Sequence, residues 1–175
     1  KTDVLETVSG SGTIALTNQL SGMTSASLPA GSILQTLTAN YNSLLSSTSG
    51  SDTEATSAVR VSITPFSSSS RFLVTATYQV TVAAGNQLAV VKAKRSTDGG
   101  SSFADLTNYQ SASDNEAHRN TSGSTTVFDT TTQVYLDVPN TTNALIYSLF
   151  LNSNGTIRLG DNGGGTRLII QEIKG

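Results

Sequence analysis

The chain has 175 residues, a formal net charge of −2 and no cysteine, and about 30% of its residues are Ser or Thr. A near-neutral charge without a basic patch argues against binding to nucleic acid, and no apolar run approaches the ~18 residues that a membrane-spanning helix needs. The length predicts one domain with a core of its own, which packing or partner chains must hold because no disulfide can form.

The first 31 residues differ from the rest of the chain. They contain two short apolar pieces separated by glycines, so they cannot form a hydrophobic core by themselves. We predict that residues 1–31 are an extended N-terminal lead-in or shaft segment that packs against copies of itself. The sequence Pro29, Ala30, Gly31 marks the boundary. Residues 32–175 are predicted to form a β-sandwich head domain.

Apolar residues recur at every second position from residue 32 onward, which is the period of a strand that is buried on one face. In the first such strand, "SILQTLTA", Ile33 and Leu37 are predicted on one side and Leu34 on the other. The second, "AVRVSITP", directs its apolar residues inward at Val59, Val61 and Ile63. The longest, "RFLVTATYQVTV", has six apolar residues on one face: Phe72, Val74, Ala76, Tyr78, Val80 and Val82.

The stretch "KRSTDGGSSF", residues 94–103, follows the strand "QLAVVKAKR". Its residues Ser96, Asp98, Gly100 and Phe103 fall at the spacing S-x-D-x-G-x-x-[WF], the aspartate box of sialidase-type β-propellers. In that motif the Asp accepts backbone N–H bonds, the Gly takes a positive φ and the aromatic ring packs beneath the turn. Propellers repeat the box once per blade, whereas it occurs once here. We therefore interpret it as a turn between two strands and not as evidence of hydrolase chemistry.

A long polar stretch, residues 104–125, follows and contains little that is apolar. We predict an excursion loop with a ligand-binding patch, because aromatic and arginine side chains in loops are the usual anchors of recognition surfaces. A loop that these side chains merely decorate is the alternative. The predicted ligand-binding residues are Phe103, Asn108, Tyr109, His118 and Arg119.

The strand pattern resumes in the last third of the chain. "TVFDTTTQVYLDVP" places Val134, Leu136 and Val138 on one face. "ALIYSLFLN" is apolar on both faces, so we expect it to be buried on both sides, which in a two-sheet sandwich requires another subunit. Its two apolar sets are Leu145, Tyr147, Leu149 and Leu151, and Ile146 with Phe150. "GTIRLG" and "TRLIIQEI" complete the chain around a Gly-rich turn at 161–165.

About eight strands and no convincing helical period predict an all-β fold. The expected architecture is an antiparallel two-sheet sandwich of jelly-roll type with the extended N-terminal lead-in, assembled as a trimer. An immunoglobulin-like sandwich is the alternative, although its strands are shorter and its loops more even.

No catalytic residue, metal site or cofactor is predicted. A single histidine, His118, without a nucleophile motif does not make a triad or a common zinc site. The twelve acidic residues are scattered singly, although a glycosidase pair brought together by folding stays open at this stage. "GDNGGGT", residues 160–166, lacks the spacing of an EF-hand loop and is interpreted as a turn.

Five segments in a fixed order resemble the C-terminal head module of bacteriophage tail-fibre and related virion proteins of the marine and cyanobacterial phage type. These include "PAGSILQ", "SITPFSSSSRFLV" and "YLDVPNTTNALIY". The likeness covers nearly the whole chain except 98–125. It implies a β-sandwich head, homotrimeric assembly, a place on the virion and attachment to the host surface, and it supplies no catalytic residue. The matching segments are Pro29–Gln35, Ser62–Val74, Tyr135–Tyr147, Asn154–Thr156 and Leu168–Ile173.

The sequence therefore predicts a non-enzymatic virion protein, the tip or receptor-binding head of a tail fibre. Its expected partners are two further copies of itself, a host cell-surface glycan or protein, and upstream fibre or other virion proteins. Neither nucleic acid nor a membrane is expected as a partner. The first alternative is a structural trimerisation or capsid-decoration domain without a receptor. A glycan depolymerase is a further alternative, which a chain this short favours less.

Overall fold

The computed structural model describes residues 27–83, 85, 87–106, 117–120 and 126–175, with the backbone alone at 117–120 and 162. Twelve strands and two short 3-10 turns form in these residues, which confirms the all-β prediction. Among the described residues no helix is long and apolar enough to cross a membrane. The strands are β1 (Ile33–Tyr41), β2 (Leu45–Ser47), β3 (Thr53–Glu54), β4 (Val61–Ile63), β5 (Arg71–Val82), β6 (Gln87–Ser96), β7 (Ala104–Asp105), β8 (Ala117–Asn120), β9 (Val127–Asp137), β10 (Leu145–Ser153), β11 (Ile157–Leu159) and β12 (Thr166–Ile173).

The strands form two antiparallel sheets of six strands each, which confirms the two-sheet sandwich. Sheet A has the order β1–β12–β5–β11–β2, and β9 pairs with the other edge of β5. Sheet B has the order β3–β10–β6–β7, with β4 also on β10 and β8 also on β6. The predicted strand count of about eight was low because β2, β3 and β7 have only two or three residues, too few for a periodic pattern. β8 lies within residues 104–125, where a loop was predicted, so that prediction was partly wrong.

The core lies between the sheets and is built from the predicted apolar stripes. The six apolar residues of the β5 stripe are each at most 1% exposed. Leu145, Tyr147, Leu149 and Leu151 of β10 meet them from sheet B and are equally buried. The inward faces predicted for these strands, and for Val59, Val61 and Ile63, are therefore confirmed. The prediction for β1 was partly wrong, because a register shift between Ile33 and Gln35 places Ile33 and Leu37 on opposite faces.

A buried charge cluster ties the edge of sheet A to sheet B. Asp137, at the end of β9, is fully buried and accepts two 2.5 Å hydrogen bonds from Nη1 of Arg95 on β6. The Tyr147 hydroxyl on β10 donates to the same carboxylate at 2.8 Å. Burial, and then the Asp137 charge, raise the pKa of Tyr147 well above its ordinary value, so this hydroxyl stays protonated and donates.

The polar face of β9 points inward as a consequence. Gln133, Tyr135 and Asp137 lie opposite core residues of β5, and the Gln133 side chain donates to the Val91 carbonyl oxygen of sheet B at 3.4 Å. The apolar residues Val134 and Leu136 therefore lie on the outer surface, 58% and 37% exposed. The sequence correctly grouped the latter two on one face, and the structure shows that this face is directed away from the core.

The turn between β11 and β12 contains two glycines with left-handed backbone, Gly160 at φ 72° and Gly163 at φ 82°. We expect Gly163→Ala to lower the free energy of unfolding by about 1–2 kcal/mol, the cost of that conformation for an L-residue. Gly160→Ala should cost at least ~1 kcal/mol more, because its Cβ would lie 2.6 Å from the Gly164 carbonyl oxygen while open space surrounds position 163. Equal losses in urea unfolding of the two variants would show that the close approach is unimportant.

Candidate functional site

The aspartate box forms the turn that the sequence predicts. Asp98 Oδ1 accepts the backbone N–H groups of Ser101 at 3.1 Å and Ser102 at 3.0 Å, and the Ser96 hydroxyl donates to the same oxygen at 2.6 Å. Gly100 has φ 87°, and β7 pairs back onto β6 directly after the turn. Hydrogen bonds from the hydroxyl and backbone of Ser102, then from Ser96, hold the pKa of Asp98 well below its usual range. The interpretation of this motif as a turn is confirmed.

Phe103 packs against the outer side of sheet B. Its ring centroid lies 5.1 Å from that of Phe150 on β10, and the Arg60 guanidinium stands 5.1 Å from the Phe103 ring. Lys94 covers the Phe150 ring at 5.5 Å. The second apolar face of β10 is thus partly covered by the chain's own turn, so this strand's apolar pattern alone does not require another subunit. Phe103 itself is half-buried, so it has a packing role beside its predicted contact with a ligand.

The other predicted ligand-binding residues are only partly described. Asn108 and Tyr109 lie outside the described residues, whereas His118 and Arg119 belong to β8 and pair with Ala89 and Leu88 of β6. Phe103 precedes β7, which pairs with β6 at Arg95, about 20 Å along the strand from Ala89. The backbone therefore places Phe103 and the two β8 residues towards opposite ends of one sheet edge. The patch stays a prediction.

The outer face of sheet B is charged, but its charges are paired with one another. Asp52 binds Lys92 at 3.1 Å and Lys94 at 2.7 Å, and Lys94 also reaches Asp105. Glu54 and Arg60 form a two-bond ion pair with both distances 2.7 Å. Such mutually satisfied pairs leave little net charge to attract a ligand.

Asp52 gives this cluster a pH dependence. Burial raises its pKa, but hydrogen bonds from Lys94, Asn152 and Lys92 outweigh that effect and lower the pKa to about 2. Since this value lies below that of the unfolded chain, the stabilisation is complete above about pH 4 and is lost as the pH falls towards 2.

We expect Asp52→Asn to lower the free energy of unfolding at pH 7 by about 1–2 kcal/mol, after allowance for solvent screening. The difference in free energy of unfolding between this variant and the unchanged protein should become smaller when urea unfolding is repeated from pH 4 to pH 2. Asp105→Asn, which removes a more exposed carboxylate from the same lysine, is the control and should have a smaller effect. A gap that stays constant over this pH range would refute the assignment.

The outer face of sheet A contains two clefts that sequence reasoning missed. The larger, about 340 Å³, lies where β1, β5 and the start of β12 meet and includes Asn40, Thr77 and Arg167. The smaller, about 160 Å³, lies at the far end of β5 and includes Thr81 and Arg158. The sequence does show an outward arginine on each of the last two strands. However, alternation of apolar and polar residues does not indicate how the strands curve to form a cleft.

The two arginines differ in their surroundings. Arg167 Nε donates to Asn40 Oδ1 at 2.7 Å, and within the described part of the chain the guanidinium has no acidic partner. Arg158 lies 3.6 Å from the Asp161 carboxylate, so its charge is partly offset. The larger cleft is therefore the more attractive one for an anion.

The described residues contain no group of three or more His, Cys, Asp or Glu side chains that could hold a metal ion. Neither a scan against models of known protein families nor a search of curated proteins finds a match for this chain.

Proposed function

We propose that this chain is the head of a bacteriophage tail fibre that attaches the virion to the surface of its host cell. In this proposal the head is a homotrimer of jelly-roll-type sandwiches and recognises its receptor without chemical conversion. Its partners are the upstream fibre or other virion proteins and a host surface glycan or protein. The resemblance of the ordered segments from "PAGSILQ" to "RLIIQEI" supports this assignment.

The observation that carries the proposal is a group of exposed apolar side chains on the outer side of sheet A. Val134 and Leu136 on β9 lie directly opposite Thr75 and Leu73 on β5, and Phe128 is 52% exposed on the same face. Val134, Leu136 and the adjacent Leu73 form a small exposed apolar patch, and such patches are typical of surfaces that a protein partner covers. In a trimer around a shared axis, each copy would cover this face of its neighbour, while the loops and the ends of the sheets would stay exposed.

A trimer also suits the proposed task. Three weakly binding heads on one fibre engage a cell surface with an effective concentration that multiplies their affinities. A rigid sandwich can hold variable loops in fixed positions, which is how many recognition domains are built. The same apolar face supports a second candidate, a structural trimerisation or capsid-decoration domain, so the two functions are separated only by binding to cells.

The test combines folding and adsorption. We expect the double variant Tyr109→Ala with Arg119→Ala to unfold at the same urea concentration as the unchanged protein and to adsorb less to host cells. The reduction follows from loss of two anchor side chains of the predicted excursion-loop patch. Adsorption that is untouched would show that this loop is not the contact, and a trimer that binds no cells would favour the structural role.

A further inference from the structure

Strand β1, Ile33–Tyr41, forms one edge of sheet A and lacks the protection that edge strands usually have. Among the described residues it pairs with β12 alone, so the backbone groups along its other side have no partner strand. Proteins commonly protect such an edge with charged side chains, proline or a bulge, because an open edge pairs readily with another chain. β1 contains neither a charged residue nor a proline. Its register shift lies between Ile33 and Gln35, which leaves Thr36 to Tyr41 unprotected.

The core is also incomplete at this edge. Leu37 lies directly opposite Ile170 of β12, which is fully buried, so both side chains are on the core side of sheet A. Leu37 is nevertheless 37% exposed, and its neighbours Thr36 and Thr38 are exposed on the outer face. Both faces of the sheet are therefore open in the middle of β1. One further strand would cover Leu37 and bind the outward backbone groups of β1 at the same time.

The sequence before the described residues contains a segment that fits this edge. In "TIALTNQL", residues 13–20, the alternation places Ile14, Leu16 and Leu20 on one face, and Gly12 and Gly22 flank the segment. Short alternating runs bounded by turn residues are typical of strands. Like β1, the segment carries no charge. Its residues extend about 26 Å as a strand, close to the length of β1.

The chain approaches β1 from the side of β12 and not from the open edge. The Gly31 N–H donates to the Lys174 carbonyl oxygen at 2.8 Å, and Lys174 Nζ donates to the Leu28 carbonyl oxygen. Residues 28–31 therefore run past the end of β12. A copy's own segment would have to cross back over the end of its sheet to reach β1. An adjacent copy needs no such reversal, because residues 21–26 span up to about 20 Å when extended.

We propose that residues 13–20 of one copy add as a strand to the β1 edge of its neighbour. The segment would enter at the end where β1 begins, so it runs antiparallel to β1 and places Thr17 on the outer face near Thr36 and Thr38. Its apolar face covers Leu37. Each copy gives one segment and receives one, so the exchange closes a ring of three. This inference rests on the homotrimer of the proposed function and names the contact that joins its copies.

Introduced cysteines test the contact in the full chain, which contains no cysteine of its own. Thr17→Cys combined with Thr38→Cys should form disulfides between chains under mild oxidation, and Thr17→Cys with Thr36→Cys tests the adjacent register. An equal mixture of the two single variants Thr17→Cys and Thr38→Cys, refolded together, should give a covalent product of two chains. Thr17→Cys with Ser101→Cys, an exposed position in the turn on sheet B, is the control and should stay unlinked.

Hydrogen exchange measures the added strand without cysteines. Alternate amides of β1 point away from β12, and we expect them to be protected in the unchanged protein. Ile14→Asp with Leu16→Asp should speed their exchange by about 100-fold or more and leave the amides that bond to β12 protected. Val4→Asp with Val8→Asp alters the other apolar piece of the lead-in. This matched control should change the exchange rates by less than about twofold.

Three results would each overturn the inference. The first is fast exchange of the outward β1 amides in the unchanged protein. The second is a disulfide that forms only within one chain, which would mean that each copy covers its own edge. The third is a covalent product of two chains from Thr38→Cys alone, which would mean that two β1 strands pair with each other.

Light scattering and adsorption to cells separate this inference from the proposed function. If a trimer adsorbs to host cells while the outward β1 amides exchange fast, the strand exchange fails and the attachment function stands. If the interchain disulfide forms but no cells are bound, the contact between copies stands and the attachment function fails. We expect an interchain disulfide in a trimer that adsorbs to cells.

Discussion

Replacing Asp137 by Ala is expected to lower the free energy of unfolding by about 3–5 kcal/mol, a large part of the stability of a typical domain. The carboxylate is fully buried and binds Arg95 and the Tyr147 hydroxyl. Its removal leaves the guanidinium of Arg95, a side chain that is only 15% exposed, without this counter-charge. Urea unfolding measures the loss, with all variants at the same protein concentration because the stability of the proposed trimer would depend on it.

The control removes all three polar partners together. A triple variant with Asp137→Leu, Arg95→Met and Tyr147→Phe leaves no buried charge from this cluster, and it should lose less than about 2 kcal/mol. The comparison separates the cost of an unmatched charge from the value of the pair itself. A loss of under about 1 kcal/mol for Asp137→Ala alone would show that the cluster does not hold β9 against sheet B.

Placing charge on the outer side of β9 is expected to dissociate the proposed trimer. Val134→Glu with Leu136→Glu would bury like charges against their copies while leaving the core untouched, since both side chains lie outside it. Light scattering should report about 54 kDa for the unchanged protein, three times the 18.1 kDa of the chain, and one third of that mass for the variant. Binding to cells should weaken about 100-fold or more as the multivalent contact is lost.

The matched control for this variant is Ser62→Glu, an exposed outward position on the other sheet. It adds a charge at an exposed site and should leave both mass and cell binding as they were. If the double variant with both glutamates stays trimeric, the copies do not contact one another through β9. An unchanged protein of 18.1 kDa in solution would refute the trimer altogether.

The core strands could be predicted because their pattern is local. In β5 every second residue from Phe72 to Val82 is apolar, whereas the intervening positions are polar except for Leu73, so only one side can fill a core. The orientation of β9 could not be derived in this way. Alternation defines two faces but does not say which is inside, and here the answer depends on Arg95, 42 positions away from Asp137.

The candidate sites likewise divide into features set by contacts close in the sequence, which could be predicted, and features set by distant contacts, which could not. The aspartate-box turn was predictable because the hydrogen bonds of the Ser96 and Asp98 side chains, which shape it, join residues at most four positions apart. The larger cleft on sheet A was not, because Asn40, Thr77 and Arg167 come together only through the pairing of β1, β12 and β5. The role of Phe103 was predicted as a ligand contact, and its packing on Phe150 likewise required a partner far along the chain.

The most direct test of the attachment function is adsorption of the purified, fluorescently labelled protein to whole cells of marine bacterial and cyanobacterial isolates. We expect saturable binding to a restricted set of strains, and competition by unlabelled protein. Binding to no strain, or unsaturable binding of equal strength to all of them, would contradict a receptor-binding head and leave the sandwich a structural part of the particle.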